Sequence, residues 1–305
     1  MEVIRAKTAG FCMGVILALH KLDALVEAGG SGGGIFTLGP IIHNPQVLSA
    51  YERKGVRTVP APEDLPSGST AVIRAHGVPR GVEHRLLARG VTVVDATCPK
   101  VKKAQLLIRE QTLSGRTLLL YGEEKHPEVK GLLSYAASGA LLFETREQLS
   151  RMMLDPGKRY CLAAQTTQEK EIFEAVADDL IRCRRCDVIV LRTICDTTRE
   201  RQEEAVRIAR TVDFMIVVGG FESGNTRRIA QVVSAQGTPC LHVETAGDLP
   251  MEEIRRYGKI GLTGGASTPK GLIDEIQRIL SSRNGAPVAG PPPRRDHAAS
   301  EGGVP

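Results

Sequence analysis

Three cysteines stand where a short apolar run gives way to a helical pattern: Cys12 in AGFCMGV, Cys98 in VVDATCPKV and Cys195 in LRTICDTT. Pro99 follows Cys98 directly, and proline suits the first turn of a helix, so Cys98 is expected at the N-cap. Unpaired backbone N–H groups at that position favour thiolate, the form that binds soft metals. Three thiolates brought together would hold either zinc with an open coordination position or a [4Fe-4S] cluster with one iron lacking a cysteine. Spacing alone leaves both open.

Two polar segments follow each cysteine at nearly constant distance. The first comes 28 to 31 residues on: GPIIHNP around His43, GEEKHPE around His126 and GFESGNT around Asn225. The second comes 64 to 72 residues on: RAHGVP around His76, AAQTTQ around Thr166 and TGGASTP around Ser267. His43, His76 and His126 can donate to anionic oxygens, and Ser223, Asn225 and Ser267 can do so without charge. Asn44-Pro45, His126-Pro127 and Thr268-Pro269 read as helix starts, whose free N–H groups and positive dipole ends suit phosphate. TGGAST at 263–268 can add a backbone anion nest. Glu128 is the acidic residue two after His126, across a proline, and can relay a proton through Thr166 or Thr167. The plainer role for Glu128 is to interact with the helix dipole.

The elements that must position these residues alternate along the chain. Strand candidates are VTVVDA before Cys98, TLLLYG at 117–122, VIVLRT before Ile194, FMIVVGG at 214–220 and IGLTGG at 260–265. Helix-patterned segments separate them, at 83–89, 101–113, 173–181 and 200–210. Such alternation predicts an α/β fold with parallel sheets. The threefold order of cysteine, polar loop and second polar loop predicts three pseudo-repeated α/β units, 1–97, 98–194 and 195–281, around one central pocket. Ligands of open α/β sheets sit beyond the carboxyl ends of the strands, where all of these residues fall. Residues 282–305, rich in Pro, Gly, Ser and Ala, cannot bury enough surface to offset their ordering and are expected to form a disordered tail.

Composition narrows the function classes. The chain of 305 residues is 42% hydrophobic and 25% charged, as in ordinary globular proteins. With five Tyr, six Phe and no Trp, it lacks the aromatic platforms of a base-stacking nucleic-acid binder. The net charge of +5 is mild; it is compatible with an anionic small substrate and equally with an ordinary solvated, slightly basic surface. No apolar run approaches the roughly 18 residues of a membrane span, and no apolar leader is visible, so a cytoplasmic protein with reduced thiols is expected. Cys183 and Cys186 form a C-x-x-C inside IRCRRCD, with no second pair at zinc-knuckle spacing, and are expected to be bystanders. The glycine cluster GGSGGG at 29–34 comes between a helix and a strand, the reverse of a dinucleotide fingerprint, and reads as a flexible loop. A Cys₃-zinc hydrolase or lyase on a phosphorylated substrate, and a non-catalytic iron–sulfur sensor of an anionic ligand, would use the same side chains.

Taken together, GFCMGV, IHNPQV, RAHGV, DATCPKV, HPEV, AQTT, TIC with the following T and RQ, and GGASTP resemble the 4-hydroxy-3-methylbut-2-enyl diphosphate reductase family, also called LytB. The segments run in the family's order from residue 10 to about 270. The resemblance implies three α/β units around a [4Fe-4S] cluster bound by Cys12, Cys98 and Cys195. It implies a diphosphate site of His43, His76, Ser223, Gly224, Asn225 and Ser267, with His126 beside it and near the substrate hydroxyl. Glu128 would be the acid in the proton path, Thr166 a partner of that hydroxyl and Thr198 a further pocket residue. The implied reaction is reductive dehydroxylation to isopentenyl and dimethylallyl diphosphates, the last step of the non-mevalonate isoprenoid pathway. Ferredoxin or flavodoxin, with its reductase, would be the electron donor. Leu17, Gly224, Ala164 and the Glu124-Lys125 pair depart from the family's common residues, and none is a named cluster ligand.

Overall fold

Short runs of three to six residues, mostly apolar, form parallel strands joined largely by helical crossovers. The computed structural model describes residues 1–29, 32–183 and 186–282. The strands are β1 (Glu2–Arg5), β2 (Ile35–Leu38), β3 (Arg57–Val59), β4 (Thr70–Ile73), β5 (Thr92–Asp95), β6 (Thr117–Tyr121), β7 (Ala140–Phe143), β8 (Arg159–Ala164), β9 (Asp187–Val190), β10 (Phe214–Val218), β11 (Cys240–Val243) and β12 (Lys259–Gly264). The helices are α1 (Met13–Glu27), α2 (Pro45–Arg53), α3 (Arg80–Ala88), α4 (Pro99–Leu113), α5 (Pro127–Leu133), α6 (Arg146–Arg151), α7 (Lys170–Cys183), α8 (Asp196–Ala209), α9 (Gly224–Ser234), α10 (Met251–Ile254) and α11 (Lys270–Ser281).

Three four-stranded parallel sheets result, ordered β3-β2-β4-β5, β7-β6-β8-β9 and β11-β10-β12-β1. Each carries an apolar layer on both faces, as parallel sheets require. Leu19 and Val72 belong to one layer of the first sheet and Ile73 and Leu86 to the other. The third sheet likewise has Ile216 with Ile273 on one side and Met215 with Ala205 on the other.

The expected α/β class and its three repeats are present, with one change in membership. β1 pairs with β12 as the last strand of the third sheet rather than with the first, Val3 opposite Ile260. The chain therefore opens with the final strand of its own last repeat, and the first sheet starts at β2. A linear division that gives residues 1–97 to the first unit cannot express this closure. Gly30 and Ser31 of the glycine cluster lie outside the described residues, as do 283–305 of the expected tail.

The helices that leave one sheet pack on the next. α1 follows β1 and buries Ala18, Leu19 and Leu22 against the first sheet. α4 leaves β5 and buries Ala104 and Ile108 against the second. α8 leaves β9 and buries Ala205 and Ala209 against the third. Each of these three connecting helices begins at one of the three cysteines.

Candidate active site

Cys12, Cys98 and Cys195 are the N-cap residues of α1, α4 and α8. Their backbones are seated alike. Cys12 N–H donates to Ala266 O at 3.0 Å, Cys98 N–H to Ala75 O at 2.9 Å and Cys195 N–H to Thr166 O at 2.9 Å. Each cysteine is thus tied to the second polar loop of the sheet it leaves. This register makes Ala75, Thr166 and Ala266 equivalent, so Thr167, one residue on, is the counterpart of His76 and Ser267. Cys12 Sγ accepts from Val15 N–H at 3.4 Å, whereas Cys98 and Cys195 make no side-chain cap bond.

The sulfurs of Cys98 and Cys12 lie beside Gly14, which has no side chain to displace them. A Cβ there would stand 2.5 Å from Cys98 Sγ and 3.8 Å from Cys12 Sγ. Burial raises the Cys98 thiol above its ordinary range and outweighs the helix N–H groups of Lys100 and Val101, which lower it. The N-cap advantage read from the sequence is real but is outweighed by burial.

The first polar loops also end in helix caps. Asn44 Oδ1 accepts from Val47 N–H at 3.0 Å, His126 Nδ1 from Glu128 N–H at 3.2 Å and Ser223 Oγ from Thr226 N–H at 3.4 Å. α2 and α5 start at Pro45 and Pro127 as expected, but Pro269 is itself the N-cap of α11. The starts of α2, α5 and α9 surround one cavity of ≈ 730 Å³ including its mouth. Its walls hold Cys12, Cys98, Cys195, His43, His76, His126, Glu128, Thr166, Thr198, Ser223, Gly224, Asn225 and Ser267, every site residue expected from the sequence.

Histidines form one side. The ring centroids of His43 and His76 are 4.8 Å apart, those of His76 and His126 5.4 Å, and those of His43 and His126 6.0 Å. Burial lowers all three pKa values, His126 to about 3 and His76 well below its usual range, with Arg74 adding to the effect. The imidazoles are therefore neutral at pH 7. Because Nδ1 of His126 accepts a hydrogen bond, its proton is assigned to Nε2, which faces the start of α9; a Cβ at Gly224 would lie 3.4 Å from it. The ring nitrogens lie within 4.8 Å of one another, close enough for a shared ion. The three helix N-termini around them favour an anion.

Buried polar atoms without protein partners mark the same wall: His43 Nε2, His76 Nδ1 and both amide atoms of Asn225. Such atoms are costly unless something binds them. Ser267 Oγ donates to His43 O at 3.3 Å and lies 3.2 Å from Ser223 Oγ, which knits the first unit to the third.

Glu128 is 1% exposed. Thr166 N–H donates to its Oε1 at 2.6 Å and Thr166 Oγ1 to its Oε2 at 3.1 Å. Those bonds favour the carboxylate, but burial dominates and raises its pKa to about 7. Glu128 also lies in the first turn of α5, where a carboxylate would interact with the helix dipole, but its burial disfavours the ionised form. It is poised to hold or release a proton beside the cavity.

A family model described as LytB protein matches residues 3–281. The chain belongs to the LytB family. A 4-hydroxy-3-methylbut-2-enyl diphosphate reductase of Oleidesulfovibrio alaskensis is 58% identical over 282 residues, covering 92% of this chain and 100% of that one. The reductase of the same name from Clostridioides difficile is 37% identical with the same coverage. A solved (E)-4-hydroxy-3-methyl-but-2-enyl diphosphate reductase, titled the terminal enzyme of the non-mevalonate pathway, superposes with a TM-score of 0.66 at 36% identity, covering 91% of this chain and 98% of that one. The Plasmodium falciparum (E)-1-hydroxy-2-methyl-but-2-enyl-4-diphosphate reductase superposes with a TM-score of 0.87 at 23% identity, covering 92% and 88%. That last likeness is one of fold.

Three features of this LytB protein escape reasoning from residue type. Gly14 carries no chemistry, and its closeness to two sulfurs appears only in the folded chain. Arg74, in the same RAHG segment as His76, sits where a Cβ on Gly39 would collide with it, and it acts on all three histidines. Arg228 of α9 reaches the second unit, bonding Glu169 at 2.8 Å and Gln168 at 2.8 Å. Among the described residues, the remaining cysteines do not line the cavity. Cys161 is buried in β8 and Cys240 lies in β11, each raised to about 11 by burial, while Cys186 packs on the second unit's core. The side chain of Cys183 lies outside the described residues.

Proposed function

We propose that this chain is a 4-hydroxy-3-methylbut-2-enyl diphosphate reductase, which replaces the allylic hydroxyl by hydrogen and so completes the non-mevalonate route to isoprenoid precursors. The balance is two electrons and two protons in, and one water out, with isopentenyl and dimethylallyl diphosphates as products. The observation that carries this reading is one cavity lined by three N-cap cysteines, an anion-ready wall and a buried carboxyl with a pKa near 7.

Cys12, Cys98 and Cys195 fit a [4Fe-4S] cluster, being three soft ligands around space that Gly14 keeps open. Bound there, the cluster supplies Lewis acidity toward the allylic oxygen and a route for electrons. The protein's own groups do the rest. His43, His76, Ser223, Asn225 and Ser267, with the backbone of Gly224, hold the diphosphate, whose binding energy positions a reacting carbon remote from it. The Nε2–H of His126 is available to both the diphosphate and the substrate hydroxyl. Glu128 delivers a proton through Thr166, turning a poor hydroxide leaving group into water. Thr198, buried on the first turn of α8, shapes the pocket wall.

The three sheets with their cysteine-capped helices act as three units around this centre, and the working compartment is the cytoplasm. Among the described residues no helix is long and apolar enough to cross a membrane. The electron donor is a ferredoxin or flavodoxin. The decisive experiment is anaerobic purification with iron and sulfide analysis, followed by turnover of the allylic diphosphate with a chemical reductant. About four iron and four sulfide per chain, with water-releasing turnover, are expected. Zinc in place of iron would select a hydrolase or lyase. A loaded cluster without turnover would select a sensor.

A further inference from the structure

The RQ of the third cysteine segment has no part in the chemistry above, yet Arg201 is only 4% exposed. A buried guanidinium normally has a carboxylate partner. Among the described residues Arg201 has none within ion-pair distance. Its one hydrogen bond runs from Nη1 to Gly264 O at 3.3 Å, and its Nε has no partner. Gln202 beside it leaves both amide atoms unpaired and is equally buried. Something other than folding stability has to account for a lone cation here.

Its location supplies the reason. Arg201 stands six residues after Cys195 on α8, about 9 Å along the helix axis. The carbonyl it grips, Gly264 O, ends β12. Two residues later Ala266 O accepts the backbone N–H of Cys12. Arg201 therefore spans the helix capped by one cysteine and the turn that seats another. Burial depresses its pKa, and negative charge at Cys12, then Glu204, then Cys195 opposes that effect.

We propose that Arg201 is a positioning residue and fixed counter-charge for the cluster of Cys12, Cys98 and Cys195, and that it favours the cluster's electron-rich state. The inference rests on the cluster reading given above. Adding an electron makes the site more negative by one charge, and a nearby desolvated cation stabilises that state. Net charge near the sulfurs is one of the levers a protein has on cluster potential. Arginine suits the task because it stays charged when buried.

The test is the midpoint potential of the loaded protein, read by anaerobic titration of cluster absorbance and normalised to iron and sulfide content. In Arg201→Met the ratio of reduced to oxidised cluster at a fixed potential should fall about tenfold, which for a one-electron couple is 59 mV toward the negative. Arg201→Lys keeps the charge without the planar fork and should retain the wild-type midpoint. An unmoved midpoint in the Met variant at full loading would overturn the assignment. So would a Lys variant shifted as far as the Met variant, which is what a purely structural bridge produces. If the Met variant loses its cluster, Glu204→Gln carries the test. Glu204 is the carboxylate that acts most on Arg201, so removing its charge should raise the midpoint, and an unmoved or lowered value refutes the proposal. Wild-type protein without iron and sulfide would refute the cluster reading itself and this inference with it.

Discussion

Glu128 is the residue at which burial and chemistry meet. Glutamine keeps its shape and still accepts from Thr166, but it cannot deliver a proton. Glu128→Gln should therefore retain cluster loading and diphosphate affinity while turnover falls by about 10² to 10⁴, the usual worth of a positioned general acid. Anaerobic turnover alongside substrate binding decides this, and a loss under about threefold would leave Glu128 a structural residue. The same group sets a pH signature in stability. Its folded pKa of about 7 lies above the ordinary 4.5, so between those values the native carboxyl keeps a proton that the unfolded chain has lost. Native protein then binds more protons than unfolded, and its stability declines as pH rises through that window. Relative to wild type, Glu128→Gln should gain up to roughly 3 kcal/mol between pH 4.5 and pH 8, measured by denaturant melts of both proteins in the same metal-free state. A difference that stays constant with pH would mean that the carboxyl is not held protonated. Gly14 makes the opposite kind of prediction. Gly14→Ala places a methyl group 2.5 Å from Cys98 Sγ, on a helix that would otherwise accept alanine readily. The variant should fold with normal helix content yet lose most of its iron, as read by circular dichroism and metal analysis.

At the level of elements, three helices do two jobs each. α1, α4 and α8 carry the chain from one sheet to the next, and their N-caps hold the cysteines. Residues at the starts of α2, α5 and α9 (His43, His126 and Ser223 to Asn225) line the same cavity. That lining depends on α9 lying against the second unit, and a polar network secures it. Arg228 binds Glu169 and Gln168, while Arg227 reaches Glu123 at 2.8 Å and Phe221 O at 3.1 Å. Arg228 and Glu169 have side chains only 16% and 19% exposed, so these bonds are screened less than ordinary surface pairs. Arg228→Met should cost about 1–3 kcal/mol, because it leaves a partly buried carboxylate without its partner. The Michaelis constant for the diphosphate should rise severalfold with kcat changed less, because Ser223 and Asn225 sit on the helix that is released. Steady-state kinetics at full cluster loading test the split, and a fall in kcat alone would place the network elsewhere in the cycle.

The whole molecule is a ring of three sheets closed by its own first strand. β1 completes the third sheet through β12, so the N-terminus is structural, while α11 ends at Ser281 with Leu272, Ile273, Ile276 and Leu280 already buried. Ending the chain after Ser282 should leave the melting temperature and turnover close to wild type. A large loss of either, by calorimetry or assay, would show that residues 283–305 contribute. Removing residues 1–5 should unfold the third unit, since β12 would then lose its pairing along one edge.

Local chemistry and the order of parts are legible in the residues alone. Proline after cysteine and histidine marks the helix starts at α4 and α5, apolar runs mark the central strands, and nearly constant offsets to the polar loops make three distant cysteines equivalent. These are local signals, carried by backbone sterics and by the period of hydrophobic residues. Everything that depends on through-space approach becomes visible only in the folded chain. Nothing local shows that β1 belongs to the last sheet, since an edge strand of EVIR could pair with any apolar neighbour. Nothing local shows that burial would defeat the N-cap at Cys98, or that Thr166 would grip both oxygens of Glu128 while desolvation still raised its pKa. Gly14 and Arg201 are silent for the same reason. A missing side chain and an unpaired charge acquire meaning only from the atoms that folding brings beside them.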